Sequence, residues 1–209
     1  MYMMLVMPFR RYLRRHASRL AKDTRGLAAV EFAMIVPLML VTFFGTVEIS
    51  SAVAANRKVT LIARTLSDLT SQSTTLDNDG MKDTFTASIS VVMPYDAALV
   101  KGTVSEIWID ANSVATVLWS KAGTIASGAT QATLATSART PGEKVTAIIP
   151  PTLLIPSTYV ILGEASYTYK PTIGYVLKSD VNLGDQSYTR PRQVACIPYK
   201  DGSTQYPCP

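Results

Sequence analysis

The sequence predicts an α+β chain: a long N-terminal transmembrane helix that continues as an amphipathic helix, followed by a small exported domain built on an antiparallel sheet. Three observations carry this. A nearly unbroken apolar run, Leu27–Val47, follows a strongly basic leader. Apolar residues then recur at helical spacing to about Gln72. Beyond Pro94 the pattern turns to β-branched and aromatic runs separated by turn residues.

The leader accounts for the charge. The chain has 209 residues and a formal charge of +5, but residues 1–25 hold Arg10, Arg11, Arg14, Arg15, Arg19, Lys22 and Arg25 against Asp23 alone. The leader is therefore +6 and the remainder −1, so the basic balance is no nucleic-acid footprint and no nucleic-acid partner is expected. The length allows one sizeable domain plus a membrane element.

In "LAAVEFAMIVPLMLVTFFGTV", Leu27–Val47, the only charge is Glu31. A span of a bilayer core needs about 20 residues at the helical rise, and this run is long enough. Arginines on its N-terminal side place residues 1–25 in the cytoplasm and everything after Val47 outside it. Two other readings meet the same residues. A buried core helix seldom carries so unbroken an apolar run. A secretory signal would use Ala52 and Ala54 as the small-x-small cleavage pattern, but its apolar core runs about 7–15 residues, well short of this one.

Past the span, Val59, Ile62, Leu66 and Leu69 keep helical spacing while Arg57, Lys58, Arg64 and Asp68 take other faces. With no Gly or Pro between Thr46 and Gln72, one rod from about Leu27 to about Gln72 is expected, about 70 Å long. Pro37 removes a hydrogen bond to the Ala33 carbonyl and should bend it. The Ser/Thr/Asp/Asn-rich "TSQSTTLDNDG" ends it.

A second helix is expected with Asp79 as cap and Met81, Phe85, Ile89 and Val92 on its apolar face, stopped by Pro94. "TVSEIWID" and "SVATVLWS" flank Ala111 and Asn112 as a hairpin, and "STYVILGEASYTYKP" reads as a long strand. Gly123–Gly142 reads as an exposed loop or weak strands, and "IIPPTLLIP" as a proline-punctuated connection.

Catalytic constellations are scarce. The single histidine, His16, lies in the leader, so no Ser-His-Asp or Cys-His pair can form beyond the span, and the chain is expected not to be an enzyme. Two cysteines without C-x-x-C or a nearby histidine make no zinc site, and the glutamate that "LDNDG" would need as a calcium loop falls at Thr86. Neither metal, cofactor nor small-molecule substrate is expected. Cys196 and Cys208 lie on the oxidising side of the membrane and are expected to pair across "IPYKDGSTQYP", with Asp201 and Gly202 as its turn; two independent thiols are the alternative.

Together these features resemble one family, chiefly over Thr24–Ala63. "TRGLAAVEFAMIVPLMLVTFFGTVEISSA" is similar to the N-terminal segment of TadE/TadG-like pseudopilins of tight-adherence (Tad, or Flp) pili: Gly26 ends a basic leader, Glu31 and Phe32 open the apolar run, Pro37 lies inside it, and Glu48 and Ser50 follow. Pro94–Tyr95 and Arg190–Arg192 are weaker points of similarity. The resemblance implies an inner-membrane, single-pass protein with a periplasmic C-terminal domain, acting in pilus assembly with other pilin or pseudopilin subunits. It also implies that a prepilin peptidase cuts between Gly26 and Leu27. The domains are then a cytoplasmic leader (1–26), a transmembrane helix (27–47), an amphipathic extension (48–75) and a periplasmic α+β domain (76–209). An unprocessed, single-pass anchored binding or adhesion domain is the alternative.

Processing would also explain the acid. Leu27 would carry a new α-amino group, and Glu31, one turn on, could pair with the amine of a neighbouring subunit in the same membrane layer, with Phe32 beside it. The competing account of Glu31 is a carboxylate that snorkels to the headgroups.

Overall fold

The structure, a computed structural model, describes residues 26–171, 174 and 178–209; the basic leader, with the expectations resting on it, lies outside the described residues. Compactness divides the chain into two units, Met1–Val47 and Glu48–Pro209. One helix, α1 (Leu27–Ser71, 45 residues, with Pro37 inside it), supplies residues to both.

In the first unit, the described residues are helical and their apolar side chains face outward: Phe32 is 67% exposed and Met34 75%. Among the described residues α1 is the one helix long and apolar enough to cross a membrane, and its apolar stretch is not buried within the fold. Its hydroxyls are satisfied inside the helix, as a lipid environment requires. Thr42 Oγ1 donates to the carbonyls of Leu38 (3.0 Å) and Met39 (2.9 Å), and Thr46 Oγ1 to that of Thr42 (2.8 Å).

The second unit is an antiparallel sheet with helices on one face. Its strands are β2 (Val100–Ile109), β3 (Ala115–Thr124), β4 (Thr133–Ala135), β5 (Thr158–Tyr169) and β6 (Val181–Thr189), in the order β4-β3-β2-β5-β6. A smaller sheet joins β1 (Leu76–Asp77) in parallel to β7 (Tyr199–Asp201), which forms a hairpin with β8 (Thr204–Tyr206). That hairpin turns at Gly202, whose φ of +58° is one that side chains disfavour. The expected hairpin, long strand and Asp201–Gly202 turn are all present; β1, β6 and the smaller sheet are not among the elements the sequence predicts.

The amphipathic face of α1 is buried where its spacing predicts: Val59, Ile62 and Leu66 are fully buried with Ala55 and Ala63, whereas Leu69 is only half-buried. Helix α2 (Asn78–Ile89) packs beside it through Met81, Phe85 and Ile89, and a 3-10 turn (Ser90–Val92) carries Val92 into the same core. Its cap is Asp77 and not the expected Asp79. Asp77 has extended dihedrals and accepts a bond from the Gly80 amide at 2.9 Å, while Asp79 lies inside the first turn and pairs with Lys82.

Two glycines let the helices lie close. A Cβ at Gly163 on β5 would stand 2.5 Å from the Ala63 carbonyl oxygen and 2.9 Å from the Ser67 nitrogen, so the α1 backbone rests on that strand. At Gly123 on β3 a Cβ would run into the Phe85 ring. The C-terminal end of α1 is also tied down: the Arg192 amide donates to the Ser71 carbonyl (2.9 Å) and its guanidinium pairs with Asp68. Arg192 thus holds the C-terminal end of the helix in place. Tyr95, following the cis Met93–Pro94 peptide, donates its hydroxyl to the Ser51 carbonyl at 3.2 Å.

The opposite face of the sheet has its own core of Ile107, Ile109, Val117, Val160 and Leu162, covered by Val145 and Ile149. The proline-punctuated connection is this cover, folded into 3-10 turns at Thr146–Ile148 and Pro151–Leu153. Backbone bonds from Val145 to Ala115 (2.8 Å) and from Val117 to Glu143 (2.9 Å) hold it to β3.

Candidate functional site

The first candidate is the start of α1. Leu27 and Glu31 are four residues apart and share one helix face, both exposed, with Phe32 exposed beside them; Gly26 immediately precedes the helix and is also exposed. Such a surface offers an acid and apolar side chains to whatever packs there.

Within the second unit, Ile49, Ala52 and Val53 of α1 and Val181 and Leu183 of β6 line an apolar groove of about 560 Å³. Glu48, by contrast, is only 2% exposed. The cut that a secretory signal would need lies inside this packed helix: Ala55, just past Ala54, is 1% exposed in the core.

No local sequence pattern marks the second candidate. Glu106 on β2 is completely buried. A β-bulge beside it shifts the β2–β3 register, so that Glu106 opposes Trp119 while Ile107 opposes Val117. The carboxylate accepts the Ile197 amide at 2.8 Å through Oε1 and the Trp119 indole N–H at 2.9 Å through Oε2. The same indole donates to the Ile197 carbonyl at 2.8 Å. Burial pushes the Glu106 carboxyl up to about 7, and these two hydrogen bonds oppose the rise only in part. Its charge in turn is a lesser cause, after burial, of the raised Tyr159 phenol.

Cys196 and Cys208 form a disulfide, and Cys196 Sγ lies 3.8 Å from Glu106 Oε2. The bridge closes a C-terminal strap whose hairpin is anchored to the sheet by further contacts. Tyr199 stacks on Trp119 (5.2 Å between centroids), and Asp201 pairs with Lys121 and accepts from Asn78 at 3.0 Å. Lys121, then Asn78, hold the Asp201 carboxyl below its ordinary range, whereas burial raises the Tyr199 phenol.

A third feature is a basin of about 720 Å³ beside β5 and β6, lined by Lys101, Arg139, Glu143, Glu164, Asp185 and Gln186 among others. Its strongest cation and acid already satisfy each other: Arg139 binds Glu164 through two nitrogens, at 2.7 and 2.6 Å. That bond is the main reason the Arg139 guanidinium is held above its usual value. Among the described residues no cluster of three or more His, Cys, Asp or Glu side chains could hold a metal ion.

No curated protein and no solved structure matches the chain. Residues 26–66, which run from Gly26 through the span and most of the packed part of α1, match a family model. The match is to the family described as TadE-like protein, and it gives this chain a TadE-like N-terminal segment.

Proposed function

We propose that the chain is a membrane-anchored pseudopilin, or minor pilin, that acts in assembling a tight-adherence (Flp-type) pilus by helix packing against other pilin-type subunits, without chemistry on a substrate. One observation carries the reading: the TadE-like match begins at Gly26, immediately before a helix most of whose apolar side chains are exposed from Leu27 to Val47. A prepilin peptidase would cut between Gly26 and Leu27, leaving the sheet domain on the periplasmic side of the inner membrane. Glu31 would then pair with the new amine of Leu27 on a neighbour, with Phe32 packing alongside. The groove beside Ile49 and Val53 in the second unit is a further apolar surface available to a neighbour. Burial of Ala55 argues against a signal-type cut after Ala54, because that cut would sever a helix already packed on the sheet.

Intact-mass measurement and N-terminal sequencing of the membrane-extracted protein test the reading; a chain beginning at Leu27 is the expected result. A mature protein that retains the leader supports the anchored-domain alternative, and one beginning at Ala55 a secretory signal. Glu31→Gln tests the pairing, since it keeps size and removes charge. Insertion and processing should persist, while surface pili are lost, because an unpaired buried amine costs about 3–5 kcal/mol. Normal piliation with the Gln variant would show that Glu31 does not set subunit register.

A further inference from the structure

We propose that Glu106 is the proton acceptor for closure of the Cys196–Cys208 disulfide, so that the sheet domain carries its own acid–base site for oxidation of its thiols. The two cysteines are unlike. Cys208 is exposed near the end of the chain, whereas Cys196 is 7% exposed and lies against Glu106 Oε2 at 3.8 Å. An external oxidant therefore reaches Cys208 first. The buried Cys196 thiol must lose its proton at a place that solvent reaches poorly, and the group beside it is a carboxylate.

The chemistry balances with a disulfide-bearing oxidant, R–S–S–R. Cys208 thiolate attacks one of its sulfurs, the R–S–S–R bond breaks, and one RS⁻ leaves, forming a Cys208–S–S–R mixed disulfide. Cys196 Sγ then attacks Cys208 Sγ and the bond to SR breaks, releasing the second RS⁻ while the Cys196 proton passes to Glu106 Oε2. Two protein thiols are oxidised, one oxidant disulfide is reduced, and Glu106 afterwards returns its proton to solvent.

Geometry prepares the acid for this. The Ile197 amide and Trp119 indole fix both carboxylate oxygens, and no Lys or Arg forms an ion pair with Glu106 among the described residues. A carboxyl of ordinary acidity is a weak acceptor for a thiol, whose free value is about 8.5. Burial brings Glu106 up to about 7, much nearer. The other groups facing it do not compete: β3 presents the non-titrating Trp119, β5 presents Tyr159 with its raised phenol, and Lys121 on β3 is bonded to Asp201 on β7. The inference holds whether or not α1 is processed.

The test uses full-length protein in detergent, reduced and then mixed with 5,5′-dithiobis(2-nitrobenzoate). The first thionitrobenzoate leaves as Cys208 reacts, and the second as Cys196 closes the ring. The second release should rise through a step with its midpoint near 7. In Glu106→Gln that step should vanish and the second release at neutral pH slow by roughly 100-fold, while the first is unchanged. Glu106→Asp, which keeps an acid, should keep the step at a reduced rate. A wild-type profile that climbs without a step to the ordinary thiol range overturns the proposal, even if the Gln variant fails to fold. A folded Gln variant with the wild-type profile overturns it too.

Discussion

A fully buried carboxylate that has no ion-pair partner among the described residues has to be held by neutral donors, and at Glu106 those donors are one amide and one indole. The arrangement makes stability depend on pH in a definite sense. Glu106 ionises at about 7 in the folded chain against 4.5 ordinarily, so between those values the unfolded chain has released a proton that the folded chain keeps. The contribution of this group to stability is therefore greatest at and below the lower value and falls as pH rises through the interval, by about 3 kcal/mol in all. Urea unfolding of the wild type should show a lower midpoint at neutral pH than in mild acid, and Glu106→Gln should remove most of that difference. An equal pH dependence in both proteins would assign it to another group. In the sequence, "TVSEIWID" reads as one strand of a hairpin and nothing marks its glutamate as enclosed. The bulge and the arriving Ile197, far along the chain, enclose it.

Among elements, the contact between α1 and β5 is set by what is missing at Gly163. The neighbours that a side chain there would meet are helix backbone, the Ala63 carbonyl and the Ser67 amide, and backbone cannot swing aside as a long side chain can. Gly163→Ala should lift the helix from the sheet and disturb the Ser67 hydroxyl bonds to Ser187 and Thr189, both 3.0 Å. A loss of about 1–3 kcal/mol in chemical unfolding is expected. Gly128→Ala is a useful contrast: no atom lies within 4 Å of its Cβ position, so its cost should come only from a φ of +77°. Equal losses at the two sites would mean that close helix packing contributes nothing at Gly163. The helices themselves were legible from spacing, whereas the residue on which α1 rests was not, because a glycine in "VILGEAS" marks a close approach without saying of what.

At the scale of the molecule, the C-terminal strap, closed on itself by the disulfide, joins the smaller sheet to the main one through the Glu106 bonds and the Trp119–Tyr199 stack. Cross-linking a loop of this size limits the unfolded chain and is worth about 3 kcal/mol on the chain-entropy model. The double variant Cys196→Ala/Cys208→Ala should unfold at correspondingly lower urea, and reductant should bring the wild type toward the same midpoint. A wild type indifferent to reductant would show that the noncovalent contacts alone hold the strap.

By itself the sequence determined the features that rest on local composition and spacing: the apolar helix of α1, its amphipathic continuation, the β2–β3 hairpin, the β5 strand and the pairing of two cysteines. Each is governed by neighbours a few residues away or by transfer of a whole segment out of water, so the pattern is complete within the segment. Only the tertiary structure decided the rest. Strand β6, "VNLGDQSYT", has a glycine and an aspartate that weaken its strand signal, and its place at the sheet edge depends on β5 pairing and on Thr60 bonding Asp185 from the helix. Likewise the proline-rich connection became the cover of a second core, and Glu106 became a buried acid beside a disulfide. Burial of that kind is a property of segments brought together from distant parts of the chain, and no window along the sequence contains it.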